Sequence, residues 1–185
     1  PLARTWHMDD FRSSPLCVIM SVDASPWGIG GVLQVEGRIV AHFLSELDEH
    51  DVHIHKKRIG DSTGQQVWEC LAILVALTVW HEYWCTRKAS VVIKSDNMSA
   101  LAMGARMRIK ASPLVAREIA LLFCESAFEP KMFEHIPGLT NLLADELSRA
   151  SEPGRTSQLP AQLMGVHRTL VPRRSRDFYR ALASE

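Results

Sequence analysis

The sequence predicts an α/β fold, and three observations carry that prediction. Runs of strand length follow one another early in the chain, at 16–22 (LCVIMSV), 28–35 (GIGGVLQV) and 38–44 (RIVAHFL). Apolar and β-branched residues bounded by turn signals mark strands, and three in succession point to an antiparallel meander. The stretch 65–84, QQVWECLAILVALTVWHEYW, is apolar on nearly every side, which predicts a helix buried between a sheet and other helices. After it, single strands at 90–94 (SVVIK) and 131–136 (KMFEHI) alternate with helical segments.

Each element has its own local cause. Residues 1–15 are polar, proline-bounded and without period, so they read as a linker from an upstream domain; a chain opening on Pro1 reads as a piece of something longer. Glu36-Gly37 is a tight-turn pair between the second and third strands. The segment 45–64 reads as a long polar loop rich in histidine (His50, His53, His55) and base (Lys56, Lys57, Arg58). In the helix that follows, Gln65, Glu69, Ala72 and Ala76 form one narrow stripe of polar or small residues. Ser95-Asp96-Asn97 leads into a helical stretch over 98–105, then a basic link, RMRIK, over 106–110. Pro113 suits the first turn of an amphipathic helix over 113–127. Pro137-Gly138 turns the chain, and a last helix over 140–150 places Asn141, Asp145 and Arg149 on one face.

Beyond Ser151 the composition shifts to EPGRTSQLP and then to a basic, aromatic-bearing segment over 168–180. That end reads as a basic tail or a linker, with contact to phosphates as the alternative. The expected organisation is therefore a lead-in over 1–15, one domain over 16–150 and a tail over 151–185. At 185 residues the length suits one domain with a real core. With 21 basic and 21 acidic residues, overall charge points to neither a nucleic-acid nor a membrane partner. The longest apolar stretch is broken by Glu69 and falls short of the roughly 20 residues that span a bilayer. Cys17, Cys70, Cys85 and Cys124 lie far apart with no CxxC pair, so a reducing, intracellular compartment is expected rather than a disulfide framework.

Four acids stand out by position. Asp23 ends the first strand, Glu69 lies in the buried helix, Asp96 ends the fourth strand and Asp145 sits in the last helix. Each has an ordinary alternative: a turn former at Asp23, an acid at the edge of the apolar face at Glu69, a helix cap at Asp96, a solvated face around Asp145. If the first and fourth strands are neighbours, Asp23 and Asp96 leave the same sheet edge, with Glu69 and Asp145 brought to it by their helices. Carboxylates gathered in one place repel unless a divalent cation neutralises them, and all-oxygen ligands select magnesium or manganese over zinc. His53 and His55 form a weaker candidate for a second metal site, against the alternative of exposed loop histidines.

The blocks VDASPWGIGGVL, WECLAILVAL, IKSDNMSAL and HIPGLTNLLADELSR resemble, in order, the pieces around the four acids of the RNase H domain of retroelement reverse transcriptases. The last block is most similar to the ends of these domains in long-terminal-repeat and tyrosine-recombinase retrotransposons. The resemblance covers about residues 16–150. It implies an RNase H-like fold: a five-stranded mixed sheet, strand order 3-2-1-4-5, with helices on both faces. It further implies that Asp23, Glu69, Asp96 and Asp145 bind two Mg2+ ions (Mn2+ being possible), with Asp23 bridging them. His135, ten residues before Asp145, has the spacing of the family's mobile catalytic-loop histidine. The implied activity is endonucleolytic hydrolysis of the RNA strand of an RNA/DNA hybrid, leaving a 5′ phosphate and a 3′ hydroxyl, beside an upstream reverse transcriptase domain. Ala24, Ser25, Gln66, Asn97 and Asn141 are the candidates for contacting the hybrid, through 2′ hydroxyls rather than base edges. Two alternatives remain open: a catalytically silent module of the same fold that binds nucleic acid or serves assembly, and a DNA nuclease or integrase of that fold.

Overall fold

β1 (Leu16–Ala24), β2 (Gly28–Val35) and β3 (Arg38–Glu46) form the expected antiparallel meander in the computed structural model, which describes residues 14–85, 88–97, 100–101, 112–125, 132–156 and 158–183. Glu36 and Gly37 both take positive φ, 50° and 76°, the left-handed pair that a two-residue hairpin turn needs. β4 (Ala89–Ser95) joins the free edge of β1 in parallel, and β5 (Met132–His135) joins β4 in parallel. The order β5-β4-β1-β2-β3-β6 contains the expected 3-2-1-4-5 and adds one strand, β6 (His167–Arg168), parallel to β3 at its outer edge. The lead-in expected over 1–15 lies almost wholly outside the described residues, as does the basic link at 106–110.

Helices cover both faces. α1 (Glu49–His55), α2 (Gln65–Val79), α3 (Pro113–Glu125), α4 (Leu142–Ser148) and α5 (Arg180–Ala183) follow in chain order. The alternation along β2 sorts them: Ile29 and Leu33 belong to the main core with α2 and α3, whereas Val32 packs with Leu147 of α4 and Leu163. Every residue of α2 from Val67 to Leu77 is buried. A fully buried Leu, Ile or Val side chain contributes about 1.5–3 kcal/mol over an exposed one, so the apolar turns of α2 outweigh the cost of carrying Glu69 inside.

Gly28, Gly30 and Gly31 lie in strand β2 rather than in a turn, and their role is to admit neighbours. A Cβ on Gly30 would stand 2.6 Å from Leu147 Cβ and from Ser148 N, and 2.7 Å from the Ala144 carbonyl. A Cβ on Gly31 would run into the Phe43 ring. The absent side chains thus let α4, which carries Asp145, lie directly on the sheet. Gly30→Ala is expected to push α4 off its seat and destabilise the domain by about 1–3 kcal/mol, the cost of overpacking. Chemical denaturation checks it, and a midpoint equal to wild type would contradict this packing.

Two expectations are corrected. The His-rich segment 45–64 is not simply a loop: residues 49–55 form α1, capped by Asp48, whose Oδ1 accepts from His50 N and Asp51 N while Asp51 Oδ2 accepts from Asp48 N. Such a reciprocal capping box satisfies donors that a helix start otherwise leaves open. His55 then packs edge-on to Trp68 and bonds the Tyr179 hydroxyl at 2.9 Å. Burial pushes its imidazole down to about 4, so it is neutral and structural rather than an exposed loop residue.

The segment after Ser151, expected as a tail or linker, is laid over the domain. It supplies β6, buries Leu163 against α4, and buries Arg174 and Tyr179 completely or nearly so. Arg174 reaches Asp51, the Ser45 hydroxyl and the Glu46 carbonyl. Glu118 of α3 accepts from Ala181 N. Among the described residues no helix is long and apolar enough to cross a membrane.

Candidate functional site

Strand register brings the first two acids together. Parallel β1 and β4 pair Ser21 with Lys94; two residues further along each chain stand Asp23 and Asp96, which therefore leave the same sheet edge. α2 crosses that edge with Glu69 in its second turn. The outcome is that one carboxylate oxygen from each of Asp23, Glu69 and Asp96 lies within 4.8 Å of the others. Asp23 and Glu69 are buried, and Asp96 is the most open of the three. Among the described residues this is the one such group of metal-ligating side chains, and neither His53 nor His55 belongs to one.

Each buried acid is oriented by a neighbour. Gln65, one turn before Glu69, donates from Nε2 to Glu69 Oε1 at 2.9 Å and to the Ala24 carbonyl at 2.5 Å. Glu69 Oε2 is buried and, among the described residues, has no hydrogen-bond partner. Ser148, in the last turn of α4, donates to Asp23 Oδ2 at 2.6 Å. Burial raises the Asp23 carboxyl to about 7, with the charges of Asp96 and Asp145 adding to the effect and the Ser148 bond and the charge of Arg149 opposing it. Glu69 is likewise pushed well above the ordinary carboxylate range, first by burial and then by Asp23. An unpartnered oxygen on a buried acid, beside two more acids, is unfavourable unless a cation completes it. The donor set is all oxygen and fits a hard divalent ion.

Asp145 lies close enough to act on Asp23 electrostatically, but it falls outside the three-acid cluster. Its Oδ1 instead accepts from Arg149 Nε at 2.6 Å, one turn along α4. His135 ends β5, paired in register with Ser95. It is exposed, and its Nε2–H donates to the Asp96 carbonyl at 3.1 Å. Gly138, in the turn after His135, is backed against the Asp96 carboxylate: a Cβ there would stand 3.0 Å from Oδ2.

The residues expected to touch a hybrid divide into two groups. Ser25 is buried and donates to the Ser148 carbonyl at 2.7 Å while accepting from Gly28 N at 3.1 Å. Asn141 is buried and donates to the Val22 carbonyl at 2.9 Å. Both side chains tie α4 to β1, and so position Asp145 and Asp23 instead of facing outward. Asn97 caps the following turn, its Oδ1 accepting from Ala100 N at 3.0 Å; with that cap filled by Asn97, Asp96 is left to the site. Ala24 lends its carbonyl to Gln65, and Gln66 is half-buried beside it. Sequence reasoning passed over Ser148 and gave Gln65 no role at the acids. The signals were present, since Gln65 lies four residues before Glu69 and Ser148 three after Asp145, each spacing placing the pair on one helix face.

No protein-family model matches the chain, and no curated protein matches it. Solved structures do. The chain is similar to LC11-RNase H1, isolated from compost by a metagenomic approach, with a TM-score of 0.55 and 20% identity over 75% of this chain and 96% of that one. It is also similar to LC11-RNase H1 in complex with an RNA/DNA hybrid, with a TM-score of 0.53 and 19% identity over 71% and 92% of the two chains. The chain therefore has an RNase H-like fold, its sixth strand being an addition to the five expected.

Proposed function

We propose that this protein is a ribonuclease H that hydrolyses the RNA strand of RNA/DNA hybrids in the service of a retroelement reverse transcriptase. One observation carries the reading: Asp23, Glu69 and Asp96 come from three separate elements to within 4.8 Å at one sheet edge, with Glu69 Oε2 buried and unpartnered. Support for the substrate comes from the neighbour solved with an RNA/DNA hybrid. Support for the retroelement setting, and for an upstream reverse transcriptase domain as partner, comes from the block HIPGLTNLLADELSR.

Asp23, Glu69, Asp96 and Asp145 are the residues that would hold two magnesium ions, or manganese. Such ions would supply activation of a water for in-line attack and stabilisation of the leaving 3′ oxygen. The chain's own residues do the rest. Gln65 fixes Glu69 so that Oε2 stays available, and Ser148 fixes Asp23 between the sheet and α4. Asp23, which clusters with Glu69 and Asp96 and also feels the charge of Asp145, would be the acid shared between the ions. His135, exposed next to Asp96, exchanges a proton with water or product at its imidazole. The products are a 5′ phosphate and a 3′ hydroxyl.

Purified protein incubated with magnesium and end-labelled hybrid is expected to cut the RNA strand internally, to leave single-stranded RNA and duplex DNA intact, and to stop when the metal is chelated. Failure to cut the hybrid would instead favour the silent module. Equal cutting of duplex DNA would favour a DNA nuclease.

A further inference from the structure

The fourth acid is held differently from the other three, and its partner suggests a control over metal loading. Asp145 carries an internal cation: Arg149 Nε donates to its Oδ1 at 2.6 Å, with the two side chains 43% and 34% exposed. Arg149 has a second acceptor in reach, Glu152 Oε2, at 3.9 Å from Nη1. Glu152 in turn faces Arg155 at 3.7 Å, and Arg155 holds Glu146 at 2.6 Å. One ladder of alternating charge thus runs along α4 and the turn after it, and Arg149 can move along that ladder without losing a carboxylate partner. Among the described residues the three-acid cluster has no cation paired to it in this way: Arg149 reaches Asp23 only through its charge. The cluster's side-chain hydrogen bonds come from the neutral Gln65 and Ser148, and Glu69 Oε2 has no hydrogen-bond partner among the described residues.

We propose that Arg149 is a built-in counter-cation that competes with a metal ion for Asp145, so that the site loads in order: first an ion at Asp23, Glu69 and Asp96, then a second once Arg149 has left Asp145 for Glu152. The inference rests on the metal-dependent reading of the site. Arg149 is a positioning residue in this scheme: its ion pair is with Asp145, and its charge also reaches Asp23. An exposed ion pair is a modest competitor, which sets the size of the effect at about two- to fivefold in affinity for the second ion.

Calorimetric titration of Mn2+ into the wild-type chain, at fixed salt and without nucleic acid, tests this apart from catalysis. Two binding events are expected, the second weaker. Arg149→Gln is expected to tighten the second event about two- to fivefold and to tighten the first by less, because the lost charge acts on Asp23 only from beyond hydrogen-bond reach. Arg149→Lys, which keeps the cation, stays near wild type. Asp145→Asn removes the second event, and adding Arg149→Gln to it does not bring that event back. A second event unchanged or weakened in Arg149→Gln overturns the role of Arg149 while leaving the nuclease reading intact. Absence of any Mn2+ binding by the wild type overturns both. Because Arg149 is well exposed, its variants are expected to fold, and a thermal melt of each confirms that the comparison is between folded proteins.

Discussion

Glu69→Gln is expected to cut hybrid hydrolysis by more than about a hundredfold while making the metal-free protein more stable at pH 8. The loss follows from what Glu69 is proposed to do. Removing a group that merely orients a metal ligand costs about 10–100-fold, so removing a ligand itself costs more. The gain follows from burial. Glu69 is 3% exposed, and its carboxyl is pushed well above the ordinary range by that burial and by Asp23. Asp23 climbs from 3.8 to about 7, chiefly through burial.

Acids raised in the folded state hold their protons longer there than in the unfolded chain. Their contribution to stability is therefore full below about pH 4 and is lost as pH rises through the folded values. For Asp23 alone the change corresponds to on the order of 4 kcal/mol. Metal-free wild type should thus lose stability between about pH 4 and pH 7 and above, and the Gln variant should show a shallower loss. Added magnesium should restore wild type most at pH 8, where the carboxylates are ionised and free to bind it, and least at pH 5, where protons compete. Urea unfolding with and without chelator across this range reads all three. A flat wild-type profile, or a Gln variant weaker than wild type at pH 8, would mean that Asp23 and Glu69 are not under strain.

Arg174→Ala is expected to destabilise the whole domain by about 3–5 kcal/mol, the usual cost of leaving a buried charge without its partner. Asp51 is 0% exposed and Arg174 2%. The guanidinium donates from Nε to Asp51 Oδ1 at 2.9 Å and from Nη2 to Oδ2 at 2.7 Å. It also donates to the Ser45 hydroxyl at 2.7 Å and the Glu46 carbonyl at 2.6 Å. The bond fastens the end of β3 and the start of α1 to a segment over a hundred residues later. Replacing Asp51 by Asn in the same chain should return part of the loss, because an amide without its ion partner costs less to bury than a carboxylate. Equilibrium denaturation measures both variants; a loss below about 1 kcal/mol for Arg174→Ala would fit a solvated pair instead. The same reasoning makes the chain after Ser151 a working part of the domain, since Tyr179 and Ala181 are also fully buried.

Where causes were local, the sequence alone determined the outcome. The three early strands, the Glu36-Gly37 turn, the buried helix carrying Glu69 and the last helix all follow from period, apolar content and turn residues within a few positions of one another. Asp23, Glu69 and Asp96 were legible too, because each stands at a strand end or on an apolar helix where a carboxylate is out of place, whereas Asp145 stood out only by its place in the last helix.

Tertiary structure decided what depends on partners distant in sequence. The glycines of β2 fell within an expected strand with no role of their own; only the approach of α4 shows that Gly30 is a seat for a helix. Ser25 and Asn141 looked available to a ligand until the chain returned and took their hydrogen bonds. The basic run that ends the sequence looked like a tail because Arg174 finds Asp51 only in three dimensions. The fourth acid shows the same division. Its position in the helix was set by spacing, but its state, paired to Arg149 and outside the cluster of Asp23, Glu69 and Asp96, follows from which cation and which sheet edge the folded chain places within reach.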